Sequence, residues 1–329
     1  AHRAVSQAGL LGNPVLSGGD SGVACGVSSG SYKAIKELIS LTQPDAPNLL
    51  DATTYVRYMP QSAAVNISLF FSLKGRLVTT DVACAAGSLA IGSAYELIAA
   101  GKQTVMLAAG SDELSPFNTA IFDTLFATSL KNDTPKATPA PFDKNRDGLV
   151  IGEGAGCLVL EEYEHAKARG VEILAELVGF AQNCDGRHIT QPNRIMMEAV
   201  MRSAVEDAGI RPEQIGYVDA HGTATDIGDV EETNAVYSLF KRPVPISSQK
   251  SYTGHTLGAC GVLESFFAIN MMKEKWFAPN LNLTEVDDRL PDLQYITGDG
   301  LHLDTEYVMS NNFAFGGVNT SLIFKRYDP

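Results

Sequence analysis

The sequence predicts an α/β fold whose sheets are mostly covered by helices. Strand-like apolar runs alternate with helical stretches over the whole chain, the order that builds parallel sheets with helical connections. A periodic helix at 195–208 sets Met197, Val200, Met201, Ala204, Val205 and Ala208 on one face, with Gly209 and Pro212 as stop signals. The order strand, special turn, small-residue helix occurs twice, at 77–98 and 244–271, so the chain reads as two similar halves, 1–157 and 158–329. Such halves bring strand ends face to face, where α/β proteins place ligands.

Taken in order, residues 3–9 close a helix and Gly22 to Val27 form a strand. A helix at 32–41 turns Ile35, Leu38 and Ile39 inward, and a polar loop fills 42–50. A helix at 61–73 leads to a β-branched run, Leu77 to Val82, read as a buried strand. The helix after Cys84 carries Leu89, Ile91, Ala94, Tyr95 and Leu97, and Thr104 to Ala108 is a buried strand. The stretch 115–129, with Phe117, Ile121, Phe122, Leu125 and Phe126, reads as an apolar helix of the core or the lining of a tunnel. Strands at 157–160, 174–179, 215–219, 244–248, 306–310 and 319–325, and helices at 229–240 and 258–273, complete the pattern.

Composition narrows the function. The 329 residues, 45% hydrophobic and 19% charged, describe a globular protein with room for a doubled domain. No apolar run approaches a membrane span, and Ala1-His2-Arg3-Ala4-Val5 shows no signal-peptide anatomy. Five scattered cysteines with no CxxC pair fit a reducing cytoplasm better than a disulfide framework or a zinc site. A net charge of −13 argues against nucleic acid as a partner.

Three stretches carry candidate chemistry. Cys84 sits where a strand becomes a helix, and a helix N-terminus lowers a thiol's pKa. The small residues beside it leave room for a substrate. On this local context a buried core thiol reads equally well. His221, in Asp219-Ala220-His221-Gly222-Thr223-Ala224-Thr225, also follows a strand, as do Lys250 and His255 in Lys250-Ser251-Tyr252-Thr253-Gly254-His255. A nucleophile with two electrophilic helpers is rarer by accident than any one of them. Asn312-Phe313-Ala314-Phe315-Gly316-Gly317-Val318-Asn319 adds glycine N–H groups beside aromatic rings.

These stretches, with Ala83-Cys84-Ala85, Pro141-Phe142-Asp143, Arg146-Asp147-Gly148 and Gly152-Glu153-Gly154-Ala155-Gly156, resemble the β-ketoacyl-acyl-carrier-protein synthases. They fall in family order over the entire chain. The resemblance implies a thiolase fold, a duplicated α-β-α-β-α five-layer sandwich, and a decarboxylative Claisen condensation in fatty-acid or polyketide-type chain elongation. It implies Cys84 as nucleophile, His221 and His255 as donors to the enolate, Lys250 paired with Glu232, and an oxyanion hole from the N–H groups of Cys84 and Phe315. Thr223, Thr225, Thr190, Phe313, Phe315 and Gly316 would bind substrate. The implied partners are an acyl carrier protein, docking on Lys131 and Lys136, and a second synthase subunit, identical or related. No cofactor or metal is implied, because phosphopantetheine arrives on the carrier. Asp81 and Val82 depart from the family's hydroxyl residues, and Ala140 from its Arg.

Other readings compete. Gly26-Val27-Ser28-Ser29-Gly30 imitates a hydrolase elbow but leaves the Cys, Lys-His and Phe-Gly-Gly stretches unexplained. A non-catalytic chain-length subunit of the same family typically lacks the cysteine that this chain keeps. The run from Asp143 imitates a calcium loop, yet its twelfth position is Gly154. Cys25, Cys157, Cys184 and Cys260 read as core thiols.

Overall fold

In the computed structural model, which describes residues 1–45 and 47–328, two sheets sandwich a pair of central helices. β1 (Ser21–Gly26), β2 (Leu77–Thr80), β3 (Val105–Asp112) and β4 (Gly154–Glu161) form the first sheet in the order β2-β1-β3-β4. β5 (Ala175–Cys184), β6 (Ile215–Asp219) and β7 (Pro245–Ser247) begin the second. A short ribbon, β8 (Trp276–Phe277) with β10 (Leu301–His302), stands apart from it. β9 (Gln294–Tyr295), β11 (Tyr307–Ala314) and β12 (Val318–Arg326) complete the order β5-β12-β11-β6-β7-β9.

The doubling read from sequence is present in the pairing. β1 is parallel to β2 and β3, and β3 meets β4 antiparallel. In the same positions β6 is parallel to β7 and β11, and β11 meets β12 antiparallel. The helices Ala86–Ala99 and Cys260–Glu274 lie between the sheets and touch both. The helix Ser62–Phe71 covers the outer face of the first sheet, and Arg194–Asp207 that of the second, with Asp226–Phe240 packed beside it. Layer by layer this is the expected five-layer sandwich.

The central helices approach very closely. A Cβ on Gly87 would come within 2.7 Å of the Gly258 carbonyl, and one on Gly261 within 2.5 Å of the Ser88 nitrogen. Ala85, Ala86, Gly87 and Ser88 are all buried. The small residues after Cys84 thus serve helix-to-helix contact, not room for a substrate. The periodic helix behaves as read: Met197, Val200, Met201, Ala204 and Val205 are buried against the second sheet.

Several expectations are corrected. A boundary at 157 cuts β4, which pairs with β3 from Gly154 to Glu161. Arg169 then ties the following helix, Tyr163–Arg169, to Glu161 and to the carbonyls of Ala8 and Gly9. The halves therefore divide after Arg169. β2 is an exposed edge strand ending at Thr80, with Leu77 43% accessible, not a buried strand through Val82. Ile39 and Cys184 are exposed, not core. Of the 115–129 stretch only Pro116–Thr124 is helical, and Phe122 alone of its five apolar residues is buried. No helix among the described residues is long and apolar enough to cross a membrane.

Candidate active site

Cys84 lies in a single 3-10 turn, Ala83–Ala85, between β2 and the central helix that begins at Ala86. Ala83 enters that turn at φ +49°, a conformation that persists for a non-glycine residue only where its surroundings enforce it. Thr80 Oγ1 donates to the Ala86 carbonyl at 2.7 Å, and the Cys260 thiol donates to the Cys84 carbonyl at 3.1 Å. The backbone N–H groups of Phe315 and of Cys84 itself lie near enough to the sulfur to favour its thiolate. The expected low thiol pKa is overturned. Cys84 is 3% exposed, and burial, opposed by the Lys250 charge and those two N–H groups, pushes the thiol up to about 11. Burial wins because the Lys250 charge and the two N–H groups do not repay the desolvation of the thiolate. Alkylation of Cys84 by iodoacetamide should therefore accelerate steadily from pH 7 to pH 10. A plateau below pH 8 would show a preformed thiolate.

His255 and His221 flank the sulfur, their ring centroids 5.3 Å apart. His255 Nδ1 accepts the Leu257 N–H at 3.2 Å, so the ring proton sits on Nε2, which lies 2.9 Å from Cys84 Sγ and donates to it. His221 Nδ1 meets two donors, Lys250 Nζ at 3.3 Å and Asn312 Nδ2 at 3.4 Å, so its Nε2 carries the proton as well. Asn312 is oriented by its 2.7 Å bond from Nδ2 to Glu264 Oε2. Burial first, and then the Lys250 charge, holds both imidazoles well below the ordinary histidine pKa. At neutral pH the site thus presents two uncharged rings, each with an Nε2–H.

Lys250 does not pair with Glu232. Its ammonium is bonded to Glu264, both groups buried; burial alone would lower the lysine, and the Glu264 charge and hydrogen bond, with Cys260 and Asp219 nearby, together raise it. Glu232 instead accepts the His221 and Gly222 N–H groups, each at 2.7 Å, and clamps the histidine's turn. Burial pushes its carboxyl up to about 8. The sequence reading missed Glu264, although a lone carboxylate in the apolar run Cys260 to Met272 is a legible signal. It also left Asn312 and Cys260 without roles.

The remaining family-like stretches hold these turns in place. Arg146 donates to the carbonyls of Thr225 and Asp226, Asp229 accepts the N–H groups of Phe142 and Ala224, and Gly148 donates to the Ala224 carbonyl. Asp143 accepts from Thr284, Glu285 and Asn145, so the calcium-like run is a hydrogen-bonded corner. His255 N–H donates to Val150 at 2.7 Å and Gly152 N–H to His255 at 3.0 Å, while a Cβ on Gly152 would sit 2.3 Å from the Thr253 carbonyl. The glycine-rich stretch is thus the bed of the His255 turn. Asp112 accepts the N–H groups of Gly258 and Ser28, so Ser28 is tied to a carboxylate.

A cavity of ≈ 380 Å³ connects Cys84, His221 and His255 to the surface past Thr223, Thr225, Thr190 and Phe313. Thr223 and Thr225 share a 3.0 Å hydroxyl contact, and the Phe315 ring stacks on Phe122 at 5.4 Å. Gly316 is turned away: its N–H donates to the Ile189 carbonyl at 2.7 Å, and Gly317 takes its place in the wall. Lys131 is engaged with the Asn145 carbonyl at 2.6 Å and Asp147 at 3.5 Å, whereas Lys136 is exposed.

Cys84, His221 and His255 have donor atoms within 4.8 Å of one another, a set that zinc accepts. The spacing does not suit it. Tetrahedral zinc holds sulfur and nitrogen ligands roughly 3.5 Å apart, whereas 2.9 Å is a hydrogen bond, and both ligating nitrogens carry protons.

A cysteine under a helix end, two neutral histidine donors from the opposite half and a buried ion pair behind them are the parts of a thiolase-fold condensing enzyme. The comparisons with known proteins agree. Residues 1–166 match the β-ketoacyl synthase N-terminal domain and residues 174–284 its C-terminal domain. The chain is 38% identical over 316 residues to 3-oxoacyl-[acyl-carrier-protein] synthase 2 of Vibrio harveyi, covering 93% of this chain and 75% of that one. A β-ketoacyl synthase crystal structure from Burkholderia phymatum superposes with TM-score 0.96 at 56% identity, over 99% of this chain and 81% of that one. A type II polyketide ketosynthase, AntDE, described in complex with its acyl-carrier protein AntF, matches with TM-score 0.89 at 30% identity, over 96% and 80%. The chain belongs to the β-ketoacyl synthase family, whose members are acyltransferases of the condensing type.

Proposed function

We propose that the chain is a 3-oxoacyl-acyl-carrier-protein synthase in which Cys84 carries the growing acyl group. The observation that carries this reading is the pair of Nε2–H donors, each fixed in its tautomer by a partner on Nδ1, on either side of one buried thiol.

Cys84 sulfur attacks the acyl thioester, the bond from the carbonyl carbon to the pantetheine sulfur breaks, and the cysteine proton leaves on the freed pantetheine thiol. The N–H groups of Cys84 and Phe315 hold the tetrahedral oxyanion. Malonyl thioester then enters past Thr190, Thr223 and Thr225 and loses CO2, with the electron pair passing into an enolate whose oxygen accepts from His221 and His255. The enolate carbon attacks acyl-Cys84, the carbon–sulfur bond breaks, and the released thiolate takes up one proton. Lys250 keeps His221 neutral and its Nδ1 occupied. No resident metal or cofactor is needed. The carrier protein and a second synthase subunit are the partners, and the cytoplasm is the compartment that suits five free thiols.

Intact mass after mixing with a panel of acyl-carrier thioesters tests the reading. One acyl adduct on Cys84, followed by a 3-oxoacyl product when malonyl carrier is added, is expected. No adduct from any donor would favour the silent chain-length subunit.

A further inference from the structure

We propose that Asp112 is a positioning residue for the acyl-transfer step: its carboxylate clasps the turn after β1 to the turn that carries His255, and the clasp sets the spacing between that imidazole and Cys84. The inference rests on the roles given to Cys84 and His255 above and names what holds the two together.

His255 Nε2 and Cys84 Sγ, 2.9 Å apart, belong to different halves and stand 171 positions apart in the chain. Their separation therefore depends on how the two turns are packed. Asp112 ends β3 and is buried. Its Oδ2 accepts the Gly258 N–H at 2.6 Å and the Ser28 N–H at 3.0 Å, so one oxygen joins the two turns. Gly258 lies three residues after His255, and the residue before it, Leu257, gives its N–H to His255 Nδ1. On the other side the turn after β1 is tied to the nucleophile. Val27 N–H donates to the Thr80 carbonyl at 3.1 Å, and Thr80 Oγ1 reaches the Ala86 carbonyl. A Cβ on Gly26 would lie 2.3 Å from the Ala86 backbone.

Contact alone limits motion in one direction only. A Cβ on Gly258 would meet Asp112 Oδ2 at 2.7 Å and the Val27 backbone at 2.8 Å, so the turns cannot close further. The carboxylate is what stops them from separating. A buried N–H without an acceptor is costly, and an ionised acceptor makes the stronger bond. The run Gly26-Val27-Ser28-Ser29-Gly30, which imitates a hydrolase elbow, has its use here as a backbone donor. Burial, reinforced by Asp81 and only partly opposed by the bonds from Ser28 and Gly258, pushes the Asp112 carboxyl up to about 6. Asp81 beside β2 and the Cys25 thiol on β1 are the titratable groups that face it, and neither brings positive charge. The clasp is charged above about pH 6 and neutral below it.

The test follows Cys84 acylation by intact mass, with an acyl carrier thioester as donor, for wild type, Asp112→Ala and Asp112→Asn between about pH 5 and pH 8. Alanine removes both acceptors, whereas asparagine keeps an oxygen for the Gly258 N–H and cannot ionise. Near pH 7.5 Asp112→Ala is expected to lose about tenfold or more in kcat at unchanged KM, and Asp112→Asn less than about threefold. Wild-type acylation should slow as the pH falls through about 6, and Asp112→Asn should show no such step. An alanine variant with the wild-type kcat, or one whose loss appears in KM, overturns the clasp. So does an asparagine variant that keeps the wild-type acid limb, and that profile decides the matter if the alanine variant fails to fold. Failure of wild type to take an acyl group at any pH would instead sink the functional reading.

Discussion

Cys84→Ala is expected to take no acyl group from any thioester while it still releases CO2 from malonyl carrier protein. Removing the nucleophile of an acyl-transfer site costs roughly 10⁴ to 10⁶ in turnover, because no other group replaces the covalent step. Decarboxylation asks something different. It needs donors at the enolate oxygen, and both Nε2–H groups survive the substitution because their tautomers are set on the far side of each ring. The complementary variants His221→Ala and His255→Ala should each lower CO2 release by about 10² to 10³, the usual effect of removing one oxyanion donor. Acylation of Cys84 should tolerate His221→Ala better, since that ring does not touch the sulfur. Intact mass reads the acyl-enzyme and acetyl-carrier formation reads the decarboxylation. If Cys84→Ala stopped both, or if His221→Ala left decarboxylation unchanged, the division of labour would be wrong.

Lys250→Met and Glu264→Gln should each be severe, and for two separable reasons. The pair is buried, and removing one partner of a buried pair costs about 3 to 5 kcal/mol because the other charge stays behind in a low-dielectric site. Thermal unfolding should show that loss in both variants. The double variant Lys250→Met/Glu264→Leu leaves no orphaned charge and should recover most of the stability, yet it should not recover decarboxylation. His221 would lose the cation that fills Nδ1 and opposes its protonation. Its pKa would rise only part of the way, because the burial that does most to depress it is unchanged, and decarboxylation would begin to fall on acidification at a higher pH than in the wild type. The stability linkage has the same origin. A histidine whose folded pKa is depressed contributes stability above its unfolded value of about 6.5, lost as pH falls, and the double variant should lose less of it between pH 6.5 and 5. A double variant with wild-type activity would remove Lys250 and Glu264 from any role beyond packing.

Cys84, His221, Lys250 and His255 were legible in the sequence because each stands at a strand-to-helix turn among glycines and hydroxyl residues, a local arrangement that needs no partner to be seen. The doubling was legible for the same reason: order along the chain survives into sheet order. What was misread depended on burial or on distance along the chain. A helix end beside Cys84 argues for an acidic thiol, and only the packing of Ala85 and Gly87 against the Gly258 to Val262 turn shows that desolvation wins. Glu232 and Glu264 are both buried carboxylates on helices, and which of them meets Lys250 is fixed by where β6 and β11 deliver His221 and Asn312. β2 reads as a buried strand from its β-branched residues, since composition reports what a strand can bury and not whether it ends a sheet. The sequence alone determined the chemistry available, a thiol with two imidazoles, an amine and their turns. Tertiary structure decided which atoms meet, which protons sit where and which charge is held dry, because those depend on pairings between residues on different elements, 171 positions apart for His255 and Cys84 and 91 for His221 and Asn312.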